Sequence, residues 1–436
     1  RRWLALPLGL YVVLIALYTL AVPPGEAPDE PSHLQCIEQV SVLGRLPQID
    51  PPPTGPWWSR PHVISGYLCH HLPLYYLIAG WIQQAVSTVT STPIHFEFPP
   101  NRPGEARPVM FQHNRPALAL TDPPAVLALR VLSAALGAIT LWAAYRVARS
   151  ILPDNALAAV AAATLAAGWP QFLFMSRAIN NDVLATALAA MVLMSLLPVG
   201  RPSRLIFSTI MACLAVLAKL NMIFTLGAVG AAYLIELIAF RDRRRAYLIS
   251  ALISLAIVAA GLALIVMQPT MSAHFQQDLR SFNSTRPDAL TFDYWLNVLG
   301  WTLSSGYARL GWMNVPAPDS QALGWWLFIT VTGLAGMVAA VRAADRSRCV
   351  LLLILGVWVL AVLAAYVKLN LNRFQPQFRY AFALLPILTA LSAAGGLRLA
   401  PQTPRAQRLA LIALALALLA INLWIIFGLI VPVYTA

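Results

Sequence analysis

Eleven apolar runs, most close to twenty residues long, are spaced along the chain and separated by polar or basic breaks. A helix needs about 20 apolar residues to cross a bilayer. The pattern predicts spans near residues 3–22, 127–148, 155–176, 183–199, 205–219, 221–240, 246–267, 323–342, 349–368, 380–398 and 409–430. Two long stretches interrupt it, residues 23–126 and about 268–322, both rich in Pro, Trp and Tyr. Neither is low-complexity, so neither reads as a disordered linker. The predicted fold is an all-α polytopic membrane protein of about eleven transmembrane helices, with a long first outer loop carrying interfacial helices.

Composition agrees: 59% of residues are hydrophobic and 11% charged, and mean hydropathy is +0.69. Cytoplasmic loops of membrane proteins collect Lys and Arg. Clusters at Arg1-Arg2, Arg146 with Arg149, Arg201 with Arg204, Arg241–Arg245, Arg342 with Arg346 and Arg348, and Arg398 with Arg405 and Arg408 recur after every second apolar segment. They set the N-terminus inside and the C-terminus outside, and account for the net charge of +13 without nucleic acid. The run "HHLPLYYLIAGWIQQAV", His70 to Val86, resembles a span. Counting it would put the later basic loops outside, so it reads as a helix lying at the outer interface, where Tyr and Trp are favoured. The first apolar run lacks a good cleavage site and reads as a retained transmembrane helix. Four cysteines are too few for a disulfide framework. Cys213 and Cys349 fall in apolar runs and read as packing residues, whereas Cys36 and Cys69 both fall on the outer side and their pairing stays open.

This threading gathers unusual polar groups at one depth, the outer membrane boundary. Asp29, Glu30 and His33 lie just beyond the first span; Asn180, Asn181 and Asp182 open the fourth; Lys219 and Asn221 sit at the turn between the fifth and sixth; Gln377, Arg379 and Tyr380 open the tenth; His70 and His71 open the interfacial helix. Each has a plainer reading: solvated loop acids, a helix N-cap for the Asn pair, snorkelling cations, interfacial histidines. Ionisable groups at membrane depth nevertheless cost roughly 2.5–3.5 kcal/mol at mid-span and tend to mark function. Carboxylates suit proton abstraction from a hydroxyl. Lys and Arg suit a phosphate, which Arg grips with two parallel hydrogen bonds. Trp57, Trp58 and Tyr67 suit stacking on sugar faces or, equally, an interfacial aromatic belt.

The motifs "PDEPSHL", "HLPLYY", "RVLSAALGAITLWAAYRVAR", "AINNDVLA", "LAKLN", "LGWMNVP" and "FRYAFALLP" resemble GT-C fold glycosyltransferases, and more narrowly a bacterial predicted-membrane-protein branch of that superfamily. The likeness runs from Pro28 to about Pro386. It implies a catalytic transmembrane module over residues 1–267, including the first outer loop, with residues 268–436 supplying the second outer loop and the C-terminal helices. It implies Asp29 as general base, with Glu30 its acidic neighbour and Asp182 a second catalytic acid. It also implies Lys219 and Arg379 near a carrier phosphate; His33, His70, His71, Asn180, Asn181, Asn221 and Tyr380, gathered by the threading, are expected to bind substrate. No large soluble insert or C-terminal soluble domain is present, which puts a protein acceptor in doubt.

The expected activity is that of an inverting membrane glycosyltransferase. It moves a sugar from a polyprenyl-phosphate donor to an acceptor glycan or lipid, on the outer face of a bacterial plasma membrane. No cofactor is expected, though a divalent metal on Asp29 and His33 stays open. The rival classes are a transporter or flippase of an anionic lipid-linked substrate and a structural assembly subunit. Inverted repeats with broken helices would favour the transporter, and none is apparent in the sequence.

Overall fold

The computed structural model describes residues 2–47, 69, 71–97, 111, 116, 118–283 and 285–435. Nearly all the described chain is helical. A first apolar helix α1 (Ala5–Ala21) leads into α2 (Glu30–Leu43), and α3 is Leu74–Thr90. Then follow α4 (Pro124–Ile151), α5 (Ala156–Ala167), α6 (Pro170–Arg177), α7 (Asn181–Leu196), α8 (Pro202–Ala218), α9 (Phe224–Ala239) and α10 (Arg244–Met267). The second outer loop contains α11 (Pro269–Asn283), α12 (Phe292–Tyr307) and a two-stranded hairpin pairing Arg309–Leu310 with Val315–Pro316. The chain ends with α13 (Asp319–Arg342), α14 (Arg346–Asn372), α15 (Leu385–Leu399) and α16 (Pro404–Trp424).

Each predicted span coincides with an apolar helix. Among the described residues, seven helices are long and apolar enough to cross a membrane, or eight if the bent pair α5–α6 counts as one span. The remaining three, α1, α7 and α8, are shorter apolar helices. A 16-residue helix such as α7 is only about 24 Å long against a hydrocarbon core of about 30 Å. Both α7 and α8 start at an extended residue, Asn180 or Arg201, and α8 ends at extended Lys219. The count of eleven crossings is therefore not reached on length alone.

The expected helix 155–176 is broken, against the sequence reading that no helix is interrupted. α5 and α6 meet at 61°. Trp169 is extended and Pro170 brings no amide to continue the ladder. Side chains fill the gap: Asn422 donates to the Gly168 carbonyl at 2.9 Å and accepts from Tyr18 at 2.9 Å, while the Trp169 indole donates to the Gly306 carbonyl at 2.6 Å. The interfacial helix also differs from expectation. It begins at Leu74 after Pro73 and not at His70, which lies outside the described residues; Trp57, Trp58 and Tyr67 lie outside them too. Cys349 is exposed and so is not an interior packing residue; Cys213 is half-buried.

Two features fix the frame. Cys36 of α2 and Cys69 form a disulfide with Cα atoms 5.2 Å apart. α13 packs closely on α15, and the backbones meet through glycines: a Cβ on Gly336 would collide with the Leu391 carbonyl, and one on Gly395 with the Thr332 carbonyl. Small residues at such crossings let membrane helices approach closely. Gly395→Val is expected to destabilise the fold, toward the upper end of the roughly 1–3 kcal/mol typical of overpacking. Gly356→Val on α14, where a Cβ meets open space, is the control. Thermal unfolding with size-exclusion profiles of the two variants checks this; equal behaviour would contradict it.

Candidate active site

Asp29 and Glu30 are adjacent and point into different environments. Asp29 sits at the N-cap of α2 with φ 65°, in the left-handed region that Asp and Asn tolerate better than other side-chain-bearing residues. Its side chain is 38% exposed. Glu30 is fully buried. One of its oxygens accepts from the Ile179 amide and the other from the Gly25 amide, both at 3.0 Å. The guanidiniums of Arg130 and Arg177 flank it at 3.9 and 3.8 Å, and Arg130 also pairs with Asp122 at 2.5 Å. Glu30 thus joins the turn that carries Asp29 to the segment that starts α7.

That second segment carries Asp182. Asn180 spends its side chain on the α7 N-cap, accepting from the Val183 amide, and Asn181 donates to the Ala218 carbonyl at 3.4 Å, one residue before Lys219. Asp182, in the first turn of α7, faces two cations. Lys219 forms a close ion pair with one oxygen, and Arg379 lies 3.7 Å from the other. Arg379 is 2% exposed and reaches Asp29 at 2.6 Å. The four groups make an alternating row: Asp29, Arg379, Asp182, Lys219. The Tyr380 ring lies beneath both cations, 4.9 Å from the Lys219 ammonium and 4.8 Å from the Arg379 guanidinium, within cation–π range. A cavity of about 10 Å³ touches Asp182, Arg379, Thr140 and Ser176, room for about one water.

His33, one turn into α2, places Nδ1 2.9 Å from the Tyr76 hydroxyl and stacks on that ring. Burial pushes its imidazole down to about 3, outweighing the pull of the Asp29 carboxylate, so the ring is neutral at ordinary pH. For Asp29, burial raises the carboxyl, but the Arg379 guanidinium, aided by Lys219, holds it below the usual carboxylate value. His71 pairs with Asp278 of α11 at 3.0 Å. The Asn221 carbonyl oxygen is buried without a hydrogen-bond partner among the described residues. No group of three or more His, Cys, Asp or Glu able to hold a metal is found among the described residues.

The structure therefore brings Asp29, Asp182, Lys219, Arg379 and Tyr380 together, with His33 beside them, while Glu30, Asn180 and Asn181 fix the segments that carry them. Arg130, Arg177 and Tyr76 were missed by the sequence reading. The two arginines carried a usable signal, as lone cations inside apolar helices.

A family model described as dolichyl-phosphate-mannose-protein mannosyltransferase matches residues 117–271. Among solved structures, the chain resembles ArnT from Cupriavidus metallidurans bound to undecaprenyl phosphate, with TM-score 0.55, 14% identity, and coverage of 99% of this chain and 74% of that one. It also resembles the Archaeoglobus fulgidus oligosaccharyltransferase in the apo form, with TM-score 0.52, 15% identity, and coverage of 98% of this chain and 55% of that one. The chain shares the GT-C-like fold of these structures. A third GT-C likeness is to archaeal AglB from the same organism in complex with an inhibitory peptide and a dolichol-phosphate, with TM-score 0.50, 13% identity, and coverage of 98% of this chain and 55% of that one. This GT-C chain thus spans only about half the length of the oligosaccharyltransferases. No curated protein matches it by sequence.

The different surroundings of the two neighbouring acids yield a stability test. Glu30→Gln leaves the buried Arg177 guanidinium without its counter-charge, while Arg130 keeps Asp122, and is expected to cost about 3–5 kcal/mol. Asp29→Asn, at a partly exposed position whose backbone Asn also tolerates, is expected to leave the melting temperature nearly unchanged. Thermal unfolding in detergent decides, and comparable losses in the two variants would contradict the division.

Proposed function

We propose that the chain transfers a sugar, with inversion, from a polyprenyl-phosphate donor to an acceptor at the outer face of a bacterial plasma membrane. The observation that carries this reading is the row Asp29–Arg379–Asp182–Lys219. Carrier lipids suit it: the ArnT match holds undecaprenyl phosphate and the AglB match holds dolichol-phosphate. The Cys36–Cys69 disulfide supports the outward assignment, since disulfides persist in oxidising compartments.

In this reading the carrier phosphate approaches Lys219 and Arg379 and displaces carboxylate from the guanidinium. Arg379 turns from Asp29 to the phosphate, and Asp29 becomes free to accept a proton. The acceptor hydroxyl gives that proton to an Asp29 oxygen while its oxygen bonds to the anomeric carbon. The bond from that carbon to the phosphate oxygen breaks, and its electron pair leaves on the phosphate, where the two cations stabilise the growing charge. Attack opposite the leaving group with a single base inverts the centre. Glu30 acts here as a positioning residue, and Asp182 holds both cations at the phosphate site. The transporter alternative draws on the α5–α6 break, where the Asn422 side chain takes up the Gly168 carbonyl.

With a polyprenyl-phosphate sugar as donor, Asp29→Asn is expected to lower turnover by about 10²–10⁴-fold while carrier-phosphate affinity stays within a few-fold. Lys219→Met is expected to weaken that affinity at least roughly tenfold, the equivalent of 1.4 kcal/mol. Full turnover in Asp29→Asn would remove it as the base. The pH profile gives an independent check. Because Arg379 holds the Asp29 carboxyl down in the free enzyme, the acid limb of kcat/KM falls below the usual carboxylate range. Arg379→Gln removes that hold and leaves burial to raise the carboxyl, so the acid limb moves to higher pH. An unmoved limb would break the link.

A further inference from the structure

An apolar groove of about 580 Å³ opens between α13 and α16, floored by Leu165 of α5. It is within the size range of small-ligand sites, roughly 300–1,000 Å³, and plays no part in the chemistry described above. α13 packs on α15, and α16 on α5 and α1, which leaves the trough between them. Its walls are aliphatic and aromatic, including Trp325, Phe328, Leu418 and Trp424. Of the polar groups on its lining, Tyr307 and Gln321 are hydrogen-bonded to each other at 3.2 Å, and the Trp325 indole N–H is buried without a partner among the described residues. No charged side chain is among its lining residues. Both flanking helices are candidate membrane spans, so the groove faces hydrocarbon.

Its length and position select the occupant. The α16 wall runs from Leu414 to Trp424, about 15 Å at 1.5 Å per residue. That is half of a hydrocarbon core about 30 Å thick, the depth of one leaflet. The polar end lies at Gln321, near the start of α13. The spans starting at Asp319 and Phe378 are separated by one returning helix, α14, so Gln321 and Arg379 sit at the same end of the bundle. The groove's Trp325 packs edge-on against Trp169 at 4.9 Å, and Trp169 stacks parallel on Phe378. The groove therefore flanks the site on its Phe378 side, whereas Lys219 lies on the Tyr380 side.

We propose that this groove holds one acyl chain of the acceptor, an acyl lipid of the outer leaflet whose headgroup hydroxyl is delivered to Asp29. This rests on the transferase reading and adds the substrate class. A long polyprenyl tail exceeds one leaflet in reach, and its phosphate belongs at Lys219 on the opposite flank. Donor and acceptor lipids then enter from different sides and do not compete.

Gly324 lines the groove, and a Cβ there meets open space, so Gly324→Phe fills the groove without disturbing the helix. The probe is phosphatidylglycerol with a diazirine in one acyl chain, in phosphatidylethanolamine–phosphatidylglycerol vesicles. Photo-adducts are expected on the α13 and α16 peptides that line the groove. They should fall roughly tenfold in Gly324→Phe, a loss of 1.4 kcal/mol, persist in Asp29→Asn, and resist excess undecaprenyl phosphate. Adducts no denser than on lipid-facing Leu252 and Leu255 of α10, or displaced by undecaprenyl phosphate, would overturn the assignment. In the second arm, a labelled polyprenyl-phosphate sugar is expected to label the extracted acyl lipids in wild type, and roughly tenfold less in Gly324→Phe with undecaprenyl-phosphate affinity unchanged. Label confined to water-soluble or protein fractions would overturn the acceptor class. Absence of any transfer by wild type would instead count against the transferase reading, while the adduct map still decides the groove.

Discussion

The candidate active site depends on one buried carboxylate. Glu30 accepts hydrogen bonds from amides on two segments far apart in sequence, the turn at Gly25 and the segment entering α7 at Ile179. A fully buried carboxylate is costly unless it is paired and hydrogen-bonded. Arg130 and Arg177 supply the pairing, and Asp122 balances the second arginine. The result is a neutral quartet of two acids and two bases below the functional row, itself two acids and two bases. Fixing these segments to each other fixes the spacing between Asp29 and Asp182, which Arg379 then bridges.

A site at rest with every charge matched has a chemical meaning. The guanidinium that would bind a phosphate is occupied by the carboxylate that would act as base, so neither is fully available alone. In the proposed mechanism an incoming phosphate would replace one anion by another at Arg379 and leave Asp29 without its partner. Binding of the donor and readiness of the base are then one event.

Much of this was legible in the sequence. Charge clustering and run lengths located every apolar helix, because bilayer thickness and the asymmetry of Lys and Arg are strong constraints. The convergence of Asp29, Asp182, Lys219 and Arg379 followed from placing each at the same end of a span. What escaped depended on side-chain direction and packing. Nothing local shows that Glu30 turns inward while Asp29 faces the pocket; that follows from the left-handed backbone at Asp29. The break at Gly168 was masked because the run stays apolar across Pro170, and the side chain that takes up the freed carbonyl, Asn422, lies more than 250 residues away. The inward role of Arg177 depends on a partner that only the folded chain supplies.

The glycine contact between α13 and α15 has a mechanical consequence. With no side chain between the backbones at Gly336 and Gly395, the two helices have little room to slide and behave as one beam. One member of that beam forms a wall of the lipid-facing groove, and the other continues directly from the short segment bearing Arg379. A hydrocarbon chain seated as proposed would therefore press on a helix locked to the one that follows Arg379.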